Sequence, residues 1–361
     1  MRRKDTMTSR ERVLAVLRGE PGDRLVVSFD LGPFKERLRH MGIEDPEVHF
    51  GVDIKKIWFV PGSDEIKPPL SGPRIGNSQQ VANYRQWGYD PARVDRRLPL
   101  IDANSMDDLA AYRFPVMQAD DVARLRRMVT ADQARGFAVA GQIPHLGGVL
   151  FETAYRLRGL DNLLEDFRLR PEFAAALLDR ITDVACRNVR ELAATGVDLV
   201  ILGDDIGTPT SMLVSPDMWR QWLRPRLSRI IRAAREISPG AAIVYHSDGF
   251  FLPVITDLID IGVGVLNPVQ PDCMNPAEVR RRFGDALVLW GTVGSATLLP
   301  YGTPQAIERE VRLRVETVGR SGRLILSPAY DLEDNVPFEN AMAFLEGCRS
   351  AGSGSRPGCE G

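Results

Sequence analysis

Two short stretches concentrate the side chains that could do chemistry: Gly203-Asp204-Asp205-Ile206-Gly207 and Tyr245-His246-Ser247-Asp248-Gly249. Adjacent carboxylates in a partly closed pocket repel. One of Asp204 and Asp205 is therefore expected to keep its proton to higher pH and act as a donor, while the other stays ionised. An imidazole beside them suits proton exchange near neutral pH. His246 and Asp248 alternate in strand sense, so a strand running through both would aim them at one metal or one substrate. Plainer roles compete: Asp205 could cap the following turn, and Asp248 could serve a turn with Gly249.

Both stretches follow apolar, β-branched runs, Asp198-Leu199-Val200-Ile201-Leu202-Gly203 and Ala242-Ile243-Val244-Tyr245-His246. Four similar runs begin at Phe137, Val263, Ala286 and Arg323. Leu25 to Asp30 and a weaker run from Ile54 to Val60 bring the strand candidates to eight. Amphipathic helical stretches separate them, with a capping box at Thr8-Ser9-Arg10-Glu11, a second at Asn275-Pro276-Ala277-Glu278, and N-cap plus Pro signals at Ser215-Pro216 and Thr303-Pro304. Strands alternating with crossover helices predict parallel pairing, and eight such units predict an α/β chain closed into one (β/α)8 TIM barrel. No GxGxxG follows the first strand, so a dinucleotide-binding Rossmann unit has no support. The barrel is expected over residues 1–350, with a flexible Gly/Ser tail over 351–361 that holds Cys359. Residues 60–115, irregular and rich in Pro and Gly, read as a lid-like insertion after the early strands, with a hairpin around Val81 to Trp87.

In such a barrel, catalytic groups sit where strands pass into the following loops. Asp30, Gln142, Asp204, Asp205, His246, Asp248, Asn267, Gln270 and Tyr330 all lie there. Any one of them alone is ordinary loop polarity. Their coincidence at six strand ends is what points to a site. His145, beside Pro144, reads as a loop residue, and His40 and His49 as surface. Trp290 is a candidate for lining a substrate pocket, whereas Trp219 and Trp222, three apart on a helix, read as packing. Arg280-Arg281-Arg282 reads as the solvated end of a helix.

Lys and Arg number 46 against 48 Asp and Glu, a formal charge of −2 that gives no field for nucleic acid or an anionic membrane. A small-molecule substrate is the expected partner. The four cysteines are scattered without a CxxC pair, which fits a reducing cytoplasm better than a disulfide framework. No signal-peptide pattern opens the chain, and no apolar run is long enough to span a membrane.

At Thr8 to Val13, Ala154 to Gly159 with Pro171-Glu172, Tyr245 to Gly249, Leu266 to Pro271, Trp290 to Val293 and Val336 to Asn340, the chain resembles the uroporphyrinogen decarboxylase superfamily, over about residues 8 to 347. That resemblance implies a barrel enzyme, and it allows a homodimer. The superfamily includes the haem-pathway decarboxylase and methyltransferases that pass methyl groups between corrinoid proteins and other acceptors. The resemblance is to a divergent member in two respects. Where the decarboxylase carries an arginine-rich clamp after its first strand, the sequence is Val27-Ser28-Phe29-Asp30-Leu31-Gly32-Pro33. Bidentate recognition of many carboxylates is lost, so uroporphyrinogen is not the expected substrate. Where the methyltransferases hold zinc by a His-x-Cys pair and a further Cys, the matching positions are His246, Asp248 and Tyr330. Thiolate ligands are gone, but His246, Asp248 and Asp205 could still hold a zinc ion.

The first functional expectation is therefore a decarboxylase-type lyase on a small carboxylated substrate, needing no cofactor. Asp204, Asp205, His246 and Tyr330 are its catalytic candidates; Asp30, Gln142, Asp248, Asn267, Gln270 and Trp290 line the substrate. The alternative is zinc-assisted methyl transfer or O-demethylation, with a corrinoid protein as partner. A third is a barrel that binds a small molecule without turning it over.

Overall fold

A computed structural model describes residues 5–32, 34–58 and 98–351. Eight strands form one parallel sheet: β1 (Val26–Val27), β2 (Ile54–Ile57), β3 (Ala138–Gln142), β4 (Leu199–Gly203), β5 (Ala242–His246), β6 (Val265–Asn267), β7 (Val288–Trp290) and β8 (Leu324–Leu326). Their order is β1-β8-β7-β6-β5-β4-β3-β2, every neighbouring pair parallel, with helices between successive strands. This is the (β/α)8 barrel that the strand–helix alternation requires. The expected Val81–Trp87 hairpin, most of the 60–115 insertion and the tail beyond Ala351 lie outside the described residues.

Inward side chains of the strands, including Val26, Ile54, Ala138, Ala140, Leu199, Ile201, Val244, Val265, Val288, Trp290 and Ile325, fill the barrel as one buried cluster. Outward side chains pack with the helices into a second, larger core. Period-two alternation thus sorts each strand into two apolar faces, as a doubly covered parallel strand demands. Trp219 and Trp222 join the outer core within a short π-helical turn, Trp219–Leu223, and serve as packing.

The seam between β1 and β2 is closed by Asp53, whose backbone N–H donates to the Val27 carbonyl (2.8 Å) while its carboxylate accepts the Val27 N–H (2.9 Å). Asp198 repeats the device ahead of β4: its N–H donates to the Val139 carbonyl and its carboxylate accepts the Val139 N–H, at 2.9 and 3.0 Å. Both aspartates are tied to the first helix, Ser9–Arg18, by Arg12 to Asp53 at 2.7 Å and Arg10 to Asp198 at 2.9 Å. Thr8 and Glu11 form the expected capping box at the start of that helix. Asn275 caps its helix through the Ala277 N–H (3.0 Å) and not by a reciprocal box. Arg280 is likewise no solvated charge: it donates to the carbonyls of Gly284, Leu287 and Arg323.

Candidate active site

The C-terminal ends of β3 to β6 bring the predicted groups together. β5 ends at His246, so Asp248 does not arrive by strand alternation. A turn with Gly249 at φ +82° swings it back, and a Cβ there would come within 2.6 Å of the Gly207 backbone, so this turn admits glycine alone. Gln270 holds the turn by accepting the Gly249 N–H at 2.5 Å. One donor atom each from Asp205, His246 and Asp248 then fall within 4.8 Å of one another.

His246 Nδ1 donates to the side-chain oxygen of Asn267 (2.8 Å), which leaves Nε2 facing Asp205 Oδ1 at 3.8 Å. That gap is too long for a hydrogen bond. Asp205 Oδ1 is itself fixed by the Asp248 N–H at 2.8 Å. Burial disfavours a His246 cation, yet the Asp248 and Asp205 carboxylates and the Asn267 contact carry it above the ordinary histidine value.

Asp204 does something the sequence did not foretell. Buried at 4% exposure, it accepts the N–H groups of Leu150 (3.0 Å) and Glu152 (2.9 Å), and so caps the Phe151–Arg158 helix from a distant strand. Burial, then the nearby Glu152 charge, raise its pKa to about 7 despite those amides. Glu152, absent from the sequence-derived set, is equally central. It accepts the Asp205 N–H (3.1 Å) and the Tyr155 hydroxyl (3.0 Å) and faces Arg156 at 3.4 Å. Burial and Asp205 push its carboxyl upward as well. As a first-turn glutamate of a helix, it looks in sequence like a response to the helix dipole.

His145, read from sequence as a loop residue, also reaches the site: its Nε2 lies 3.2 Å from Gln142 Oε1. Burial, with repulsion by His246 and Arg156, lowers it to about 4, so it stays neutral at physiological pH. Asp30 spends a carboxylate oxygen on the Gly32 N–H (3.0 Å), an Asx turn. Trp290 is fully buried inside the barrel, and Tyr330, in the loop after β8, is 39% exposed. Lys56, a further residue the sequence reading passed over, shares the inward face of β2 with Ile54. It lies 5.7 Å from the Trp290 ring centre and 3.3 Å from Asp331.

A uroporphyrinogen decarboxylase family model matches residues 100–351, about 70% of the chain. The chain belongs to the uroporphyrinogen decarboxylase family. It is 23% identical to the methylcobamide:CoM methyltransferase MtaA of Methanosarcina barkeri, over 94% of this chain and 96% of that enzyme. To a uroporphyrinogen decarboxylase of Syntrophotalea carbinolica it is 28% identical, over 49% of this chain and 48% of the relative; to that of Alcanivorax borkumensis, 24% over 66% and 67%. Among solved structures, a methyltransferase from Methanosarcina mazei superposes with a TM-score of 0.61 at 19% identity, covering 95% of this chain and 99% of its own. That likeness speaks for the shared barrel. No helix among the described residues is long and apolar enough to cross a membrane.

The residues present fit a small divalent cation. One imidazole nitrogen and two carboxylate oxygens converge within 4.8 Å, near the roughly 3–4 Å that two ligands each about 2 Å from one ion span. Asn267 supplies the second contact that metal-binding histidines ordinarily have.

Proposed function

We propose that this family member is a metal-assisted methyltransferase of the corrinoid-linked kind, acting on a methyl group borne by oxygen, as an O-demethylase does. The convergence of His246, Asp205 and Asp248 at the barrel mouth carries the reading. The near full-length likeness to MtaA, against half to two-thirds coverage of the two decarboxylases, supports placing methyl transfer ahead of decarboxylation. This reverses the order that the sequence alone suggested.

His246, Asp205 and Asp248 would hold a zinc ion, which supplies Lewis acidity to a substrate oxygen; a set of one imidazole and two carboxylates is harder than a thiolate set and matches oxygen better than sulfur. The protein's own groups keep that set in place. Asn267 fixes the imidazole so that Nε2 faces the carboxylates, and the Asp248 amide holds Asp205. Glu152 accepts the Asp205 N–H, and Asp204 anchors the helix end that carries Glu152. His145, neutral, hydrogen-bonds with Gln142. Decarboxylation stands as the second reading on one observation: Asp204, with a pKa of about 7, can hold a proton near neutral pH, beside a Glu152 carboxyl that burial and Asp205 push upward.

Purified protein is expected to retain about one zinc per chain and to transfer methyl groups from methoxylated aromatic donors to cob(I)alamin. His246→Ala and Asp205→Asn should lose the metal and lower transfer by roughly a hundredfold or more, with the melting transition retained. Release of CO2 by metal-free protein at the wild-type rate would overturn methyl transfer in favour of decarboxylation.

A further inference from the structure

The helix that leads into β5, Arg224–Ile237, carries a row of cations on its outer face. Arg224, Ser228, Arg232 and Arg235 follow one another at three or four residues, so their side chains stand in line, and Arg220 extends the row from the π-helical turn before the helix. With Asp260 and Ile261, at the end of the Ile255–Asp260 helix after β5, these residues line an open groove of about 610 Å³. That volume is in the range of small-molecule sites, roughly 300–1,000 Å³. The groove lies between the helices on either side of β5 and shares no residue with the barrel mouth.

Carboxylates reach only the first half of the row. Arg220 pairs with Asp217 at 3.1 Å and Asp257 at 3.0 Å, and Arg224 faces Asp257 at 3.3 Å and Asp260 at 3.7 Å. The contacts of Arg224 are loose. Its Nε is buried yet makes no hydrogen bond, and the Asp260 contact joins side chains that are 38% and 56% exposed. Further along, Arg235 donates to the Gly262 carbonyl at 2.7 Å and meets no carboxylate, while Arg232 has no hydrogen bond or ion pair among the described residues. The helix dipole accounts for Arg235, which stands in the last turn. It works against Arg224, which stands in a first turn without an acidic residue. One exposed arginine is ordinary solvated charge. Four along one groove, two of them without a carboxylate, make a seat for an anion.

We infer that this groove binds a small organic polyphosphate. The planar guanidinium fork matches phosphate oxygens two at a time, and the distance from Arg224 to Arg232 along the helix, about 12 Å, suits a chain of phosphates better than a single one. Ser228 adds a hydroxyl between the two arginines, and Pro225 and Ile261 offer apolar wall to the organic part. The inference does not depend on the metal or on methyl transfer.

Calorimetric titration of the full chain at low salt with inorganic tripolyphosphate, ATP and adenosine tests it. Tripolyphosphate should bind with a Kd of roughly 0.1 mM, ATP a few-fold more tightly, and adenosine not at all. Arg232→Gln removes a side chain that holds no partner, so folding is retained, and it should weaken both phosphates about tenfold. Asp260→Asn should tighten them several-fold, because a competing anion is gone. His246→Ala should leave the affinity unchanged, which separates the groove from a phosphate held by metal at the barrel mouth. Wild type that does not bind tripolyphosphate, or binding lost in His246→Ala and kept in Arg232→Gln, overturns the inference. Hexaglutamate that binds as tightly as tripolyphosphate overturns the phosphate assignment and makes the groove a seat for an acidic protein segment.

Discussion

The two ends of the barrel handle buried charge in opposite ways. At the N-terminal end, Arg12 is fully buried and donates to Asp53 at 2.7 Å and Asp23 at 2.6 Å, and Arg24 donates to Asp53 at 2.8 Å. Cations and carboxylates interleave there. Burial alone would raise Asp23, yet Arg12 and the amides of Met7 and Thr6 hold it well below the usual carboxylate range. At the C-terminal end, Asp204, Glu152, Asp205 and Asp248 crowd around two histidines, with Arg156 beside Glu152 and Lys56 near His246. Acids outnumber cations among these residues, and the Asp204 and Glu152 carboxyls move up. A set of charges satisfied internally stabilises a fold; one left short of partners keeps free energy available for a cation, a proton or a substrate.

The widest gap between the two ends should appear on removing Arg12. Arg12→Met takes the guanidinium from Asp23 and leaves the buried Asp53 with Arg24 alone, and is expected to lose about 3 kcal/mol in urea unfolding at pH 7. A loss no larger than that of an ordinary surface substitution would show that the lower cluster is not the compensated one. Asp204→Asn should do the reverse. A carboxyl raised in the folded state contributes stability that is present below its unfolded value near 4 and is lost as pH rises through about 7. Asparagine still accepts the Leu150 and Glu152 amides, so at pH 8 the variant should be more stable than wild type by about 1–3 kcal/mol, with a flatter profile between pH 4 and 7. The lower cluster slopes the other way: Asp23, depressed in the folded state, gives stability that is present above its unfolded value and lost as pH falls. The smallest change is at Asn267. Asn267→Ala frees the His246 ring and should lower metal affinity or turnover roughly tenfold. The imidazole titration, followed by NMR, should move down toward the ordinary range.

How much of this was written in the sequence depends on the range of the forces involved. The barrel was legible because periodicity is local: eight β-branched runs, each followed by a helix signal, leave few other topologies. Asp205, His246, Asp248, Asn267 and Gln270 were legible because each stands at a strand end. Glu152 and Lys56 were not. A glutamate in a first helical turn and a lysine in a weak strand both have ordinary explanations, and only the approach of β3 to β4 and of β2 to β7 turns them inward. Asp204 was seen, but its contact was not: it caps a helix that begins 53 residues earlier. Asp248 reaches the cluster by a glycine turn and not by the strand alternation that first suggested it.

The first helix carries Arg10 and Arg12 within one turn, Arg12 bound to a residue 41 positions later and Arg10 to one 188 positions later. During synthesis this helix leaves the ribosome before either partner exists. At roughly 5–20 residues per second, about ten seconds or more pass before Asp198 is available. By then β1, β2 and β3, the strands that this helix packs on, are already made, and only the Arg10 anchor is missing. The strands this helix rests on thus precede, in the chain, one of the two residues that pin it there.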